Sequence, residues 1–180
     1  MGTVSSLNAQ LKTPFHEFCL RSGVLCRACQ DKVERGYLSS FDLEVSKILS
    51  SVETVGRPGQ DGEFLKSYPG NGILLVKLRK GSMSSIASVA SDIQRRIQAS
   101  TKRRTVLFEE GEQLRSVAER LLYPARIASV RTSWLPGGTN LTTLNATGRT
   151  EIDLKEAAKL LSQLFGVELN ITGGTPSQRK

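Results

Sequence analysis

A chain of 180 residues with 38% hydrophobic residues can bury the core of one sizeable domain or two small ones, and its formal charge of +8 favours a polyanionic partner such as nucleic acid. No run approaches the roughly 18 apolar residues of a membrane span, and the polar start MGTVSSLNAQLKT lacks the apolar core of a secretory leader. Membrane and secretory classes are thereby set aside, and a cytoplasmic protein is expected.

Residues 1–13 read as a flexible N-terminus. The stretch HEFCLRSGVLCRAC, residues 16–29, then holds the only histidine and all three cysteines of the chain. The spacing is His16-x2-Cys19-x6-Cys26-x2-Cys29. A pair two residues apart lets one backbone turn offer two ligands, and two such turns complete the tetrahedron that zinc accepts. Three thiolates and one imidazole make a closed site with no place for a reactive water, so one structural zinc is expected. The alternatives are a disulfide with one cysteine left over, which an intracellular setting disfavours, a redox Cys26-Arg-Ala-Cys29 motif, which wants a preceding strand, and a cluster without metal.

After Cys29 a short helix is expected to end at Gly36. A second helix follows, N-capped by Ser39 or Ser40, with Leu43, Val45, Ile48, Leu49 and Val52 giving it an apolar face. GRPGQDG, residues 56–62, reads as a break. EFLKSY and GILLVKLRK read as strands joined by a Pro69-Gly70-Asn71-Gly72 turn, and residues 83–100 as a helix, whole or broken, with Ile86, Val89, Ile93 and Ile97 on one face. RTVLFEE, 104–110, is a third strand. The second half repeats the order: a helix stopped at Pro124, strands 126–135 and 139–147 around the Pro136-Gly137-Gly138 turn, a helix over 153–165 and a strand over 167–172. The tail 173–180 reads as disordered.

Charge is unevenly placed. Between Lys77 and Arg104 stand eight bases (Lys77, Arg79, Lys80, Arg95, Arg96, Lys102, Arg103, Arg104) and one acid, Asp92. Nearly the whole net charge thus falls in one segment, which marks it as a candidate nucleic-acid surface. Trp134, Tyr37, Tyr68 and Tyr123 could stack on bases, although aromatic side chains near turns are more often packing or surface residues. Catalysis is not expected. The single histidine is assigned to the metal, the acids at 109–112 and 151–156 fall at helix starts where they complement the dipole, and no GxxxxGK[ST], GxGxxG or HExxH pattern occurs. No small-molecule substrate is therefore expected.

From Cys19 to Gln30 the chain reads CLRSGVLCRACQ, and here it resembles the archaeal NusA-like KH-domain proteins, in which two ligand pairs surround a Ser/Thr-Gly-Val/Ile-Leu segment. His16 stands where their first cysteine is usual, an exchange that zinc chemistry permits. The resemblance continues through FDLEVSKIL, 41–49, and covers most of residues 14–172. It implies an α+β fold: a zinc-binding unit at 14–40, then two type II KH-like (αββαβ) modules at 41–110 and 111–172.

KH modules grip a nucleic-acid backbone with a GXXG loop between two helices, whose glycines let the chain approach phosphates closely. The matching position here is Ser88-Val89-Ala90-Ser91, without either glycine and with Asp92 directly after. Binding through a displaced, mainly electrostatic surface formed by the eight bases is expected instead. The implied function is RNA binding, to mRNA or rRNA, during transcription elongation or termination, with RNA polymerase as a partner. The alternatives are a ribosomal or ribosome-associated protein on a ribosomal subunit and a protein-interaction scaffold.

Overall fold

The computed structural model describes residues 9–54, 62–136, 138 and 140–176. Among these the fold is mixed α/β, with two three-stranded sheets and a two-stranded ribbon. The chain divides into two compact units, 1–67 with 74–111 and 68–73 with 112–180. The N-terminal ligand-rich segment falls within the first unit.

In the first unit, β1 (Ala9–Gln10) pairs antiparallel with β2 (Glu53–Thr54), and α1 (Glu17–Ser22), α2 (Arg27–Glu34) and α3 (Ser40–Ser50) lie between them in sequence. The N-terminus was expected to be flexible through residue 13. From Ala9 onward it is held instead: Leu11 is buried, and Lys12 exchanges backbone hydrogen bonds with Gly62 and Phe64 at 2.9 and 2.8 Å. Residues 1–8, and the break at 56–61, lie outside the described residues.

Helix α3 starts as its sequence requires. The Ser39 side chain accepts from the Asp42 backbone N–H, and the Asp42 carboxylate accepts in return from the Ser39 N–H at 2.6 Å, a reciprocal capping box. The same carboxylate reaches further. Its other oxygen accepts from the Ser67 N–H and hydroxyl, at 2.5 and 2.7 Å, so Asp42 is fully buried with donors on both oxygens and ties α3 to the sheet.

That sheet has the order β3 (Phe64–Gly70), β4 (Ile73–Leu78), β5 (Arg104–Glu109). The run Ile-Leu-Leu-Val of β4 is apolar on both faces, and both are buried. Leu74, Val76, Leu78 and Leu107 pack against Val45 and Leu49 of α3 and Ile93 and Ile97 of α5. The expected helix over 83–100 is broken: α4 (Ser82–Ile86) and α5 (Ala90–Thr101) are separated by a turn at 87–89.

In the second unit, α6 (Leu114–Leu122) precedes a sheet ordered β6 (Arg126–Trp134), β7 (Asn140–Thr150), β8 (Glu168–Pro176), with α7 (Leu154–Phe165) between β7 and β8. β6 and β7 run antiparallel, β7 and β8 parallel, as a βαβ crossover requires. Asp153 caps α7 by accepting from the Lys155 N–H at 2.8 Å, and Gly166 ends it in the left-handed conformation. Residues 173–176 were expected to be disordered. They continue β8 along β7, and Gly173 serves that pairing, because a side chain there would collide with the Ala146 carbonyl. Residues 177–180 lie outside the described residues.

Candidate metal centre and basic face

The four sequence-selected ligands converge. The ligating atoms of His16, Cys19, Cys26 and Cys29 all lie within 4.8 Å of one another, and His16 Nδ1 stands 3.2 Å from Cys26 Sγ and 3.5 Å from Cys29 Sγ. Local structure explains the spacing. His16 and Cys26 are the N-cap residues of α1 and α2, in extended conformation, while Cys19 and Cys29 lie three residues on, in the first helical turns. Side chains at an N-cap and three residues later lie side by side, which is how a capping box works, and here ligands replace the usual capping groups. Gly23, left-handed at φ +74°, closes α1 with its N–H on the Cys19 carbonyl and turns the chain back so that the second pair meets the first.

The site's electrostatics divide the two thiols of its second pair. The Cys29 backbone N–H and the His16 ring lower the Cys26 thiol from 9.0 to about 6. Cys29 is pushed upward, chiefly by burial, despite a hydrogen bond involving His16. The Cys26 backbone N–H donates to Cys19 Sγ, 3.3 Å away. None of the three cysteines forms a disulfide, and the residues before Cys26 are helix α1 and a turn, not the strand a redox motif would want. Such a donor set can hold a metal ion and leaves no open position on a tetrahedral one.

The packing around these ligands is thin. Phe15, Cys19, Leu20, Cys29 and Leu38 form a small buried cluster, with Leu43 of α3 against it, and Lys32 Nζ donates to the Pro14 carbonyl at 2.8 Å. Two of the five buried side chains in this cluster are candidate ligands.

The eight bases of the Lys77–Arg104 segment are less free than the sequence count indicates. Lys77 pairs with Glu110 at 3.0 Å and Arg79 with Glu63 at 2.9 Å, both acids lying outside the counted segment. Asp92 pairs with both Arg95 and Arg96, at 3.0 and 2.6 Å. Arg103 lies over the Phe41 ring, 4.8 Å from its centroid. Lys80 and Lys102 are exposed and have no ion pair among the described residues.

At the position matched to the GXXG loop, Ser88 and Val89 are in the turn between α4 and α5, while Ala90 and Ser91 already belong to α5. From Ser91 an exposed polar stripe follows the helix: Ser91, Gln94, Arg95, Gln98, Ala99 and Lys102 line an open groove of about 660 Å³. No acid lines it. Lys102 ends the helix in the left-handed conformation at φ +55°, the only described non-glycine residue to do so.

Three of the acidic residues set aside as helix-start groups have partners of their own. Glu109 accepts from the Met83 N–H at 2.6 Å, at the start of α4 and not α6, Glu110 is taken by Lys77, and Glu112 pairs with Arg120. Sequence reasoning missed Asp42. Its signal was the Ser39-x-x-Asp42 capping pattern, whose second oxygen found Ser67.

No family model and no curated protein matches the chain. A match among solved structures is the crystal structure of APE1850, 16% identical over 57% of this chain and 80% of its own, with a TM-score of 0.37, too slight a likeness to support an argument. Among the described residues no helix is long and apolar enough to cross a membrane.

Proposed function

We propose that this is an RNA-binding protein of the archaeal NusA-like kind, with a structural zinc in the His16, Cys19, Cys26, Cys29 centre and two degenerate KH-like modules. Zinc is the ion that best suits three thiolates and an imidazole in a closed tetrahedron. The element orders α3-β3-β4-α4-α5-β5 and α6-β6-β7-α7-β8 are consistent with KH-like modules, the first with its helix pair split at the expected loop position. The observation that carries the RNA reading is the acid-free stripe on α5 ending at Lys102. Its amides and bases offer donors to phosphates, and the side chains at 88–91 move the contact off the loop and along the helix.

The internal pairing redistributes weight among the bases. Arg95 and Arg96 share Asp92, so their contribution to phosphate binding is discounted, whereas Lys80 and Lys102 carry theirs in full. A lysine held at positive φ costs stability that a glycine would not, which makes Lys102 informative.

The test is binding of a labelled single-stranded RNA oligonucleotide across a salt series, with Lys80→Glu and Lys102→Gly. Lys102→Gly is expected to stabilise the fold by up to about 1 kcal/mol, since glycine suits a left-handed helix end, while weakening RNA binding. Each lost phosphate contact lowers the salt slope by about 1. Unchanged affinity in the double variant would refute the assignment. A ribosome-bound role differs in stoichiometry: comigration with a ribosomal subunit at high salt supports it against the transcription reading.

A further inference from the structure

Among the described residues, strand β6 sits at one edge of its sheet with only β7 beside it. An edge offers unpaired backbone donors and acceptors, and soluble proteins commonly blunt it with bulges, proline or charge. A register shift between Ile127 and Ser129 distorts only the first part of β6. From Ser129 to Trp134 it pairs regularly with Asn145 to Asn140. Over these six residues the strand has one charge, Arg131, and no proline.

Side chains sort by face. Val130, Thr132 and Trp134 stand opposite Leu144, Thr142 and Asn140. They therefore share the face that carries buried Thr142 and Leu144, yet Val130 is 39% exposed and Trp134, the chain's only tryptophan, 77%. An apolar strip on an open, regular edge is a surface prepared for another strand.

We propose that a second copy of this chain occupies it, β6 pairing antiparallel with β6 of the partner about a two-fold axis at Thr132. A two-fold normal to the sheet keeps faces together, so the axis must pass through a residue and opposed residues share a face. An axis at Arg131 would oppose two guanidiniums directly. At Ser133 it would bring Pro136, which has no N–H, opposite Val130. At Thr132, Val130 meets Trp134 of the other copy twice over, Arg131 meets Ser133, and Thr132 meets its equivalent. Aromatic with β-branched and threonine with threonine are favourable cross-strand pairs, and like charges do not face. The two sheets would join into one of six strands.

Each copy carries +8, so association works against repulsion and strengthens as salt screens it. Dimers bridged by RNA behave oppositely.

The test is sedimentation velocity of the nuclease-treated full chain from about 5 to 500 µM, a range suited to a contact smaller than a standard interface, at low and high salt. Expected are a rise in sedimentation coefficient with concentration, greater at high salt, and a parallel blue shift of Trp134 emission as it leaves water. Val130→Lys and Trp134→Lys, both at exposed positions, should each weaken association tenfold or more with unchanged far-ultraviolet dichroism. A monomer at every concentration, association that salt weakens or nuclease abolishes, or dimers indifferent to both substitutions would overturn the proposal.

Discussion

The first unit contains two buried clusters built on different physics. Around β4 and α5, twelve buried apolar side chains interlock, from Leu11 and Val45 to Ile97 and Leu107. At 15–38 there are five, of which Cys19 and Cys29 are candidate ligands. The large cluster excludes enough apolar surface to hold itself together. The small one has far less, three buried apolar side chains with Leu25, Val33 and Leu43 half-buried against them, to set against the entropy of ordering about 25 residues. Helix α3 serves both, Val45 and Leu49 facing the large cluster and Leu43 the small, so the difference lies in what each cluster is made of and not in how it is attached. The proposed zinc would supply in the small cluster what volume supplies in the large one.

Chelation separates them most strongly. On removal of bound zinc, or with Cys29→Ser, amide hydrogens of α1 and α2 should lose nearly all exchange protection while those of β4 and β5 keep theirs. Structural zinc is worth about 10 kcal/mol or more in comparable small sites, so partial effects are not expected. Equal loss in both regions would show that they fold as one, and no loss would show that the metal is dispensable.

A buried carboxylate gives a smaller effect and asks where the large cluster is fastened. Asp42→Asn preserves shape but turns an amide NH2 toward donors that had faced an oxygen, on either the Ser39 or the Ser67 side. Denaturant unfolding should show a loss of about 3 kcal/mol, the cost of leaving buried donors unpaired. A loss below about 0.5 kcal/mol would mean that α3 is held to β3 by apolar contact alone.

The mildest test stays inside the small cluster and reads its two halves against each other. In metal-free protein, Cys26 is a thiolate above about pH 6 and a thiol below it, because its titration is depressed by the Cys29 N–H and His16. Its alkylation rate, followed by mass spectrometry, should therefore fall as pH drops through about 6. Cys29, pushed the other way by burial, should react only in alkaline solution. Bound metal should protect both. Identical profiles for the two thiols would dissolve the distinction.

Much of this was legible in the residues, for physical reasons that can be named. The ligand set follows from spacing, because N-cap and third-residue positions are neighbours in any helix. The large core follows from period: Ile86, Ile93 and Ile97 recur on one helical face and all are buried. The continuous run of β4 announced a strand covered on both sides. Gly173 misled, since a Gly-Gly pair before a polar tail reads as chain end, whereas the structure uses its missing side chain for close approach to β7. Leu11 misled likewise, a lone apolar residue in a polar segment whose burial depends on a chain some fifty residues further on.

Charge shows the limit most plainly. Counting along Lys77–Arg104 found one acid for eight bases, but Glu63 and Glu110 fold back onto Arg79 and Lys77, and Asp92 is shared by two arginines. By itself, then, the sequence determined the candidate ligand quartet, the order of helices and strands from β3 to β8 and the apolar faces, all properties of neighbours within a turn or a strand. Only the tertiary structure decided which bases stay unpaired, that Asp42 would bind Ser67, and that β6 would be left at an edge. Ion pairing, burial of polar groups and strand adjacency depend on distances through space between residues far apart in the chain, and local pattern does not encode them.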